Sequence, residues 1–100
     1  MGLTDVRAQI VKYLRAGQYQ HDTTRRGEIE EKNLLVTNVV SIVDVIQLIL
    51  ATKGHQYSSS RHHSDRTITV HIFKPLRNGV RWYIKCYVLE PNVWFISVHR

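Results

Sequence analysis

Apolar residues recur at helical spacing in two stretches of the chain and alternate with polar ones in a third. Val6, Ile10, Val11 and Leu14 share one side of a helix that Thr4 can cap and Gly17 ends, with Arg7, Lys12 and Arg15 on its outer side. Residues 18–23 read as a loop or short extended link. The charged run from Thr24 to Lys32 predicts a short helix, weakened by Gly27. Leu34 to Val40 reads as a short strand or a connection. Ser41 to Lys53 gives the clearest pattern: Ile42, Val45, Ile46, Ile49 and Leu50 form one apolar stripe. Ser41 and Asp44 resemble a capping box there, and Gly54 closes the far end. Gly54 to Asp65, with its serines and histidines, reads as a loop.

The last third alternates with period two. Ile68 to Lys74 predicts a strand ended by Pro75, Arg77-Asn78-Gly79 a hairpin turn, Trp82 to Val88 the partner strand, and Val93 to His99 a third strand after a turn at Glu90-Pro91-Asn92. Helices first and an antiparallel sheet last predict a single α+β domain over residues 1–100, its N-terminal helices packed on one face of the C-terminal sheet. Strict alternation sorts Ile68, Val70, Ile72, Trp82, Ile84, Cys86, Val88, Trp94, Ile96 and Val98 to the helix side. The other side then collects Thr69, His71, Phe73, Tyr83, Lys85, Tyr87, Phe95, Ser97 and His99.

Charge changes the picture. The net charge is +6, and residues 53–100 carry all of it, with eight Lys and Arg, two acids and five of the six histidines. A basic half points to a polyanion, with nucleic acid foremost and a merely solubilising surface as the plain alternative. One cysteine excludes a disulfide framework and a cysteine zinc site. Cys86 reads as a buried, inert thiol and His21 as a surface histidine. His62-His63 with His55 reads poorly as a metal site, since adjacent histidines point apart on an extended segment, so no metal and no cofactor are expected. No apolar run is long enough to span a bilayer and no leader is legible, so no membrane is involved and a cytoplasmic location is expected.

Imidazole, phenol and ammonium groups on one sheet face form a richer set than solvation needs. An imidazole exchanges protons near neutrality. Lys and Arg stabilise charge developing on a phosphoryl group. Metal-free RNA cleavage needs a base for the 2′-hydroxyl, cations around the phosphorane and an acid for the departing 5′-oxygen. His99, fixed on a strand, and the loop histidines His62 and His63 are the expected acid–base groups, with His71 and Tyr83 next. Lys85, Arg81, Lys74, Arg61 and Arg66 are the expected RNA contacts.

Tyr57-Ser58-Ser59, Ser64-Asp65-Arg66-Thr67-Ile68, the Pro75 turn, Tyr83-Ile84-Lys85 and Ile96-Ser97-Val98-His99 resemble the MqsR family of bacterial type II toxin–antitoxin systems. Leu14-Arg15-Ala16-Gly17-Gln18 and Thr23-Thr24-Arg25 fit the same family. The resemblance implies a RelE-like fold and a sequence-specific messenger RNA endoribonuclease (an mRNA interferase) that inhibits translation and growth and is silenced by a cognate antitoxin. It places Tyr83 at the family's active-site tyrosine and His99 at its C-terminal basic residue. The family lysine after the loop tyrosine is Ser58 here. The glutamine or acidic residue of the first sheet strand has Val70 or His71 nearest, which leaves Arg61, His62, His63 and His71 to fill those roles. The competing expectation is a non-catalytic basic module that binds RNA or DNA on the same face.

Overall fold

The computed structural model describes residues 2–22 and 33–100, so the helix expected at 24–32 lies outside the described residues. Helix α1 (Leu3–Arg15) buries Val6, Ile10, Val11 and Leu14, the stripe that the sequence spacing sets. Its N-cap is Gly2 and not Thr4, and no side chain caps it. Gly17 ends it with φ 74°, a left-handed conformation that glycine adopts without strain. Helix α2 (Ile42–Ala51) begins on the expected capping box: the Ser41 hydroxyl accepts from the Asp44 N–H, and the Asp44 carboxylate accepts from the Ser41 N–H. The Ser41 N–H and then the Ser41 hydroxyl, both donating to the carboxylate, hold the Asp44 carboxyl below the usual carboxylate range. Its buried residues are Val45, Ile46, Leu48 and Ile49, whereas Leu50 is exposed, so Leu48 takes the place in the core that spacing gave to Leu50. Arg7 is not simply an outer charge, because its guanidinium donates to the carbonyls of Leu50 and Thr52 and so ties α1 to the C-terminal end of α2.

The sheet has five strands. In chain order β1 is Tyr19–His21, β2 Tyr57–Arg61, β3 Thr69–Phe73, β4 Leu76–Arg77, β5 Val80–Arg81, β6 Tyr83–Leu89 and β7 Asn92–His99. The main sheet runs β1-β7-β6-β3-β2, and β4 and β5 form a separate small hairpin. β3, β6 and β7 pair antiparallel as expected, β2 adds an antiparallel edge strand beside β3, and β1 joins β7 in parallel, so the sheet is mixed. The segment expected as a loop after Gly54 is a 3₁₀ turn followed by the edge strand β2, which pairs with β3 along its full length. Its serines hid it, since polarity alone does not exclude an exposed edge strand. Asn78 and Gly79 both have positive φ, the geometry of a two-residue hairpin turn. Residues 34–40 form turns; Asn33 makes one bridge to Val98, and Leu35 and Val40 seal the core edge.

The helices cover one face of this sheet, where Phe73, Ile84, Cys86, Val93, Phe95 and Val98 are fully buried against α1 and α2. Burial pushes the Cys86 thiol up to about 12, as an inert buried cysteine requires. Two strands face otherwise than expected, β3 by its phase and β7 by a bulge. In β3 the inward residue is Phe73 with His71 beside it, because the register sets Phe73 opposite Ile84 and His71 opposite Cys86. A register slip of one residue would exchange every side chain between faces. In β7 a bulge leaves Ile96 as an extra residue between the pairs Lys85–Ser97 and Cys86–Phe95. Phe95 therefore points inward although Val98 does too, and Trp94 faces out. Among the described residues no helix is long and apolar enough to cross a membrane.

Candidate functional site

The open face, opposite the helices, is built in rows across the strands. Its first row is Tyr83 on β6 paired directly with His99 on β7. Their rings stack at 5.0 Å between centroids and 20° between planes. Lys74, just past β3, holds its ammonium 5.7 Å from the centroid of the Tyr83 ring, within cation–π range. The second row is Ser58, Ile72, Lys85 and Ser97. The row beyond it on the same side is Ser60, Val70, Tyr87 and Trp94, of which Val70 and Tyr87 are buried. Tyr83, Lys85, Ser97 and His99 thus come together as alternation predicts.

The environment of His99 decides what its ring can do. Nδ1 lies 3.1 Å from the Arg100 carbonyl oxygen. A carbonyl can only accept, so Nδ1 carries the hydrogen and Nε2 is the lone-pair nitrogen of the neutral ring. The adjoining Arg100 guanidinium stacks over Trp82 at 5.4 Å. That contact lies on the helix side, in a cleft with Asp44, Leu48 and Arg77, so the cations beside the phenol and the basic nitrogen on the open face are Lys74 and Lys85. General acid–base chemistry on an anionic ester needs groups of these types on rigid elements.

The remaining expected residues are dispersed. His71 is on the helix face, half-buried, its Nδ1 2.7 Å from the Tyr57 hydroxyl and its ring stacked on that phenol at 21°. Burial lowers the His71 pKa and raises that of Tyr57. His71 therefore does not join Tyr83 and His99, and it does not supply the polar side chain expected on that face of the first long strand. Val70 and Ile72, which do face that side, are apolar. His62 accepts at Nδ1 from the N–H groups of Ser64 and Asp65, at 3.1 and 3.3 Å, and stands edge-on to Tyr87 at 5.2 Å. His63 stacks on His62 with 4.8 Å between centroids, so the two rings lie together and do not point apart. Tyr87 lies four residues along β6 from Tyr83, about 13 Å at the usual strand rise. An acid and a base acting on one phosphate must both reach it within about 3 Å, so His62 and His63 stand too far from His99 to be its partner in this arrangement.

Two arginines are engaged with backbone. Arg81 donates to the Lys74 carbonyl at 2.8 Å and fastens the small hairpin beside the first row. Arg61 donates to the Arg66 carbonyl at 2.8 Å and closes the β2–β3 loop, where Asp65 accepts from the N–H and hydroxyl of Thr67. Arg66 is exposed on that loop. His21 is not a lone surface residue: its Nδ1 is 3.0 Å from the Asn33 amide, and burial lowers its pKa. Among the described residues no three His, Cys, Asp or Glu side chains are arranged to hold a metal ion. Sequence patterning missed the outward placement of Trp94, which only the β7 bulge reveals. No protein-family model matches the chain, and no curated protein matches it.

Proposed function

We propose that the chain is a toxin of a type II toxin–antitoxin system, a metal-independent endoribonuclease that cuts single-stranded messenger RNA in the cytoplasm and is neutralised by a cognate antitoxin protein. The observation that carries this reading is the stacked Tyr83–His99 pair on the open sheet face, with the Lys74 and Lys85 ammonium groups beside it. The residue pattern that resembles the MqsR family and the packing of helices on one sheet face support the same reading.

The chemistry follows from the groups. Neutral His99 takes the 2′-hydroxyl proton at Nε2, and the 2′-oxygen attacks the adjacent phosphorus. Lys74 and Lys85 stabilise the extra negative charge on the phosphorane oxygens. The Tyr83 hydroxyl gives its proton to the departing 5′-oxygen. The products are a 2′,3′-cyclic phosphate and a 5′-hydroxyl. DNA lacks the internal nucleophile and is not cut. Incubation with a single-stranded RNA in excess chelator, followed by analysis of product ends, tests the reading. Cyclic-phosphate ends are expected. Intact RNA, bound in a salt-dependent way, would replace it with a non-catalytic RNA-binding module.

A further inference from the structure

The far end of this face carries four rings that the chemistry above does not use: Tyr87 is buried, Trp94 and His62 are half-buried, and His63 is exposed. Tyr87 and Trp94 are direct cross-strand neighbours with ring planes parallel to within 3° and centroids 6.4 Å apart. Neither belongs to the cluster that the helices cover. His62 stands edge-on to Tyr87, and exposed His63 stacks on His62. Polar bonds at the rims fix two of these rings. The Tyr87 hydroxyl donates to the Asp22 carboxylate at 2.9 Å, and burial first, then this carboxylate, drives the phenol pKa well above its usual range. His62 is held by the two backbone N–H groups it accepts. A wet sheet face is ordinarily covered with Thr, Glu and Lys. Here the accessible rings are Trp94, His62 and His63, set on the buried Tyr87.

Lys85 sits midway between Tyr83 and Tyr87 on the same face of β6. The order along the strand is thus a reactive pair, a cation, and an aromatic platform. That sequence matches a single strand of nucleic acid, whose phosphates need cations and whose bases stack on rings. The basic excess of residues 53–100 gives the face the complementary charge. We propose that Trp94, with His63 and His62, is a nucleobase subsite that stacks a base flanking the cut, about 13 Å from His99 at the strand rise of β6. This rests on the ribonuclease reading and gives it a substrate-positioning surface apart from the reacting groups.

A single-stranded oligodeoxynucleotide tests it, because it has bases and phosphates but cannot be cut. In a Trp82→Phe background Trp94 is the sole tryptophan. Its fluorescence should be quenched saturably by the oligodeoxynucleotide, and an abasic position should relieve the quench. Trp94→Ala should weaken binding about 5- to 150-fold, the span of one lost base stack. The salt slope should stay the same, since no charge is removed. Trp94→Phe should recover part of the affinity, and the His62→Ala/His63→Ala pair should weaken binding without altering the sheet. These two variants keep the test decisive if Trp94→Ala fails to fold. If the protein cuts RNA while bound oligonucleotide leaves Trp94 emission and the affinity of all three variants unchanged, the subsite is wrong and the ribonuclease reading stands. Quenching without RNA cleavage keeps the subsite and removes the ribonuclease. Quenching by an acidic peptide and not by the oligonucleotide overturns the subsite in favour of a protein partner.

Discussion

Two tyrosine–histidine pairs stack on opposite faces of the same sheet, and they do different things. Tyr57 and His71 face the helices, bonded to each other at 2.7 Å and half-buried. Tyr83 and His99 stack at nearly the same angle on the open face, but the imidazole turns its Nδ1 to a backbone carbonyl and keeps its other nitrogen unspent. The first pair is bonded within itself on the helix side and serves the fold. The second leaves capacity for a substrate. Residue type does not separate a structural histidine from a reactive one; the face each ring occupies and the partner of its Nδ1 do.

The sharpest way to break this contrast is to remove each imidazole in turn. His99→Ala should lower the rate of RNA cleavage about 10²–10⁴-fold, the usual worth of a general acid or base. The same variant, expressed at equal abundance in bacteria, should lose growth inhibition. His71→Gln keeps an acceptor for the Tyr57 hydroxyl and should cleave at close to the wild-type rate. Single-turnover rates of the three proteins settle the matter. Equal losses at His71 and His99 would erase the distinction between the two faces.

The contrast was only half legible in the sequence, for physical reasons that particular residues make plain. The α1 stripe, the α2 capping box and the β6 alternation of Tyr83, Lys85 and Tyr87 were all legible, because each is set by local periodicity or a local hydrogen bond. His99 and Ser97 were placed well, since they lie after the bulge, in phase with Val98. His71 and Phe73 were placed on the wrong face because β3 is apolar at Val70 and Ile72 as well, and only pairing with β6 fixes which set faces in. Trp94 and Phe95 exchanged places because strict alternation has no means of counting an extra residue such as Ile96. The separation of His62 from His99 depends on strand β2 and its loop, which the serines disguised.

A smaller effect distinguishes cations that face the substrate from cations spent on backbone. Lys85 projects between Ile72 and Ser97 on the open face, whereas Arg81 is bonded to the Lys74 carbonyl. Lys85→Ala should weaken RNA binding for every sequence and reduce the salt slope by about one unit, the signature of one lost phosphate contact. Arg81→Ala should change the salt slope less and act through the stability of the hairpin. Affinities measured across a salt series in chelator read both. An unchanged slope for Lys85→Ala would mean that RNA does not cross the middle of this face.

The smallest expected effect belongs to the structural pair and appears in stability. Burial lowers the His71 pKa, so the folded protein holds this ring neutral against the Tyr57 hydroxyl. In the unfolded chain the ring titrates near the ordinary value of about 6.5. Above that value both states are neutral and the full stabilisation is present. As pH falls through it, the unfolded chain binds a proton that the fold resists, and stability is lost until the lowered folded value is passed. The urea midpoint should therefore fall between pH 7.5 and pH 5.5, and fall less in His71→Gln, whose side chain does not titrate. His21 is lowered by burial in the same direction beside Asn33, so a residual decline should remain in His71→Gln and shrink further in the double variant with His21→Gln. Parallel declines in all three proteins would show that neither buried ring is held neutral by the fold, and the Tyr57–His71 pair would lose its claim to a structural role.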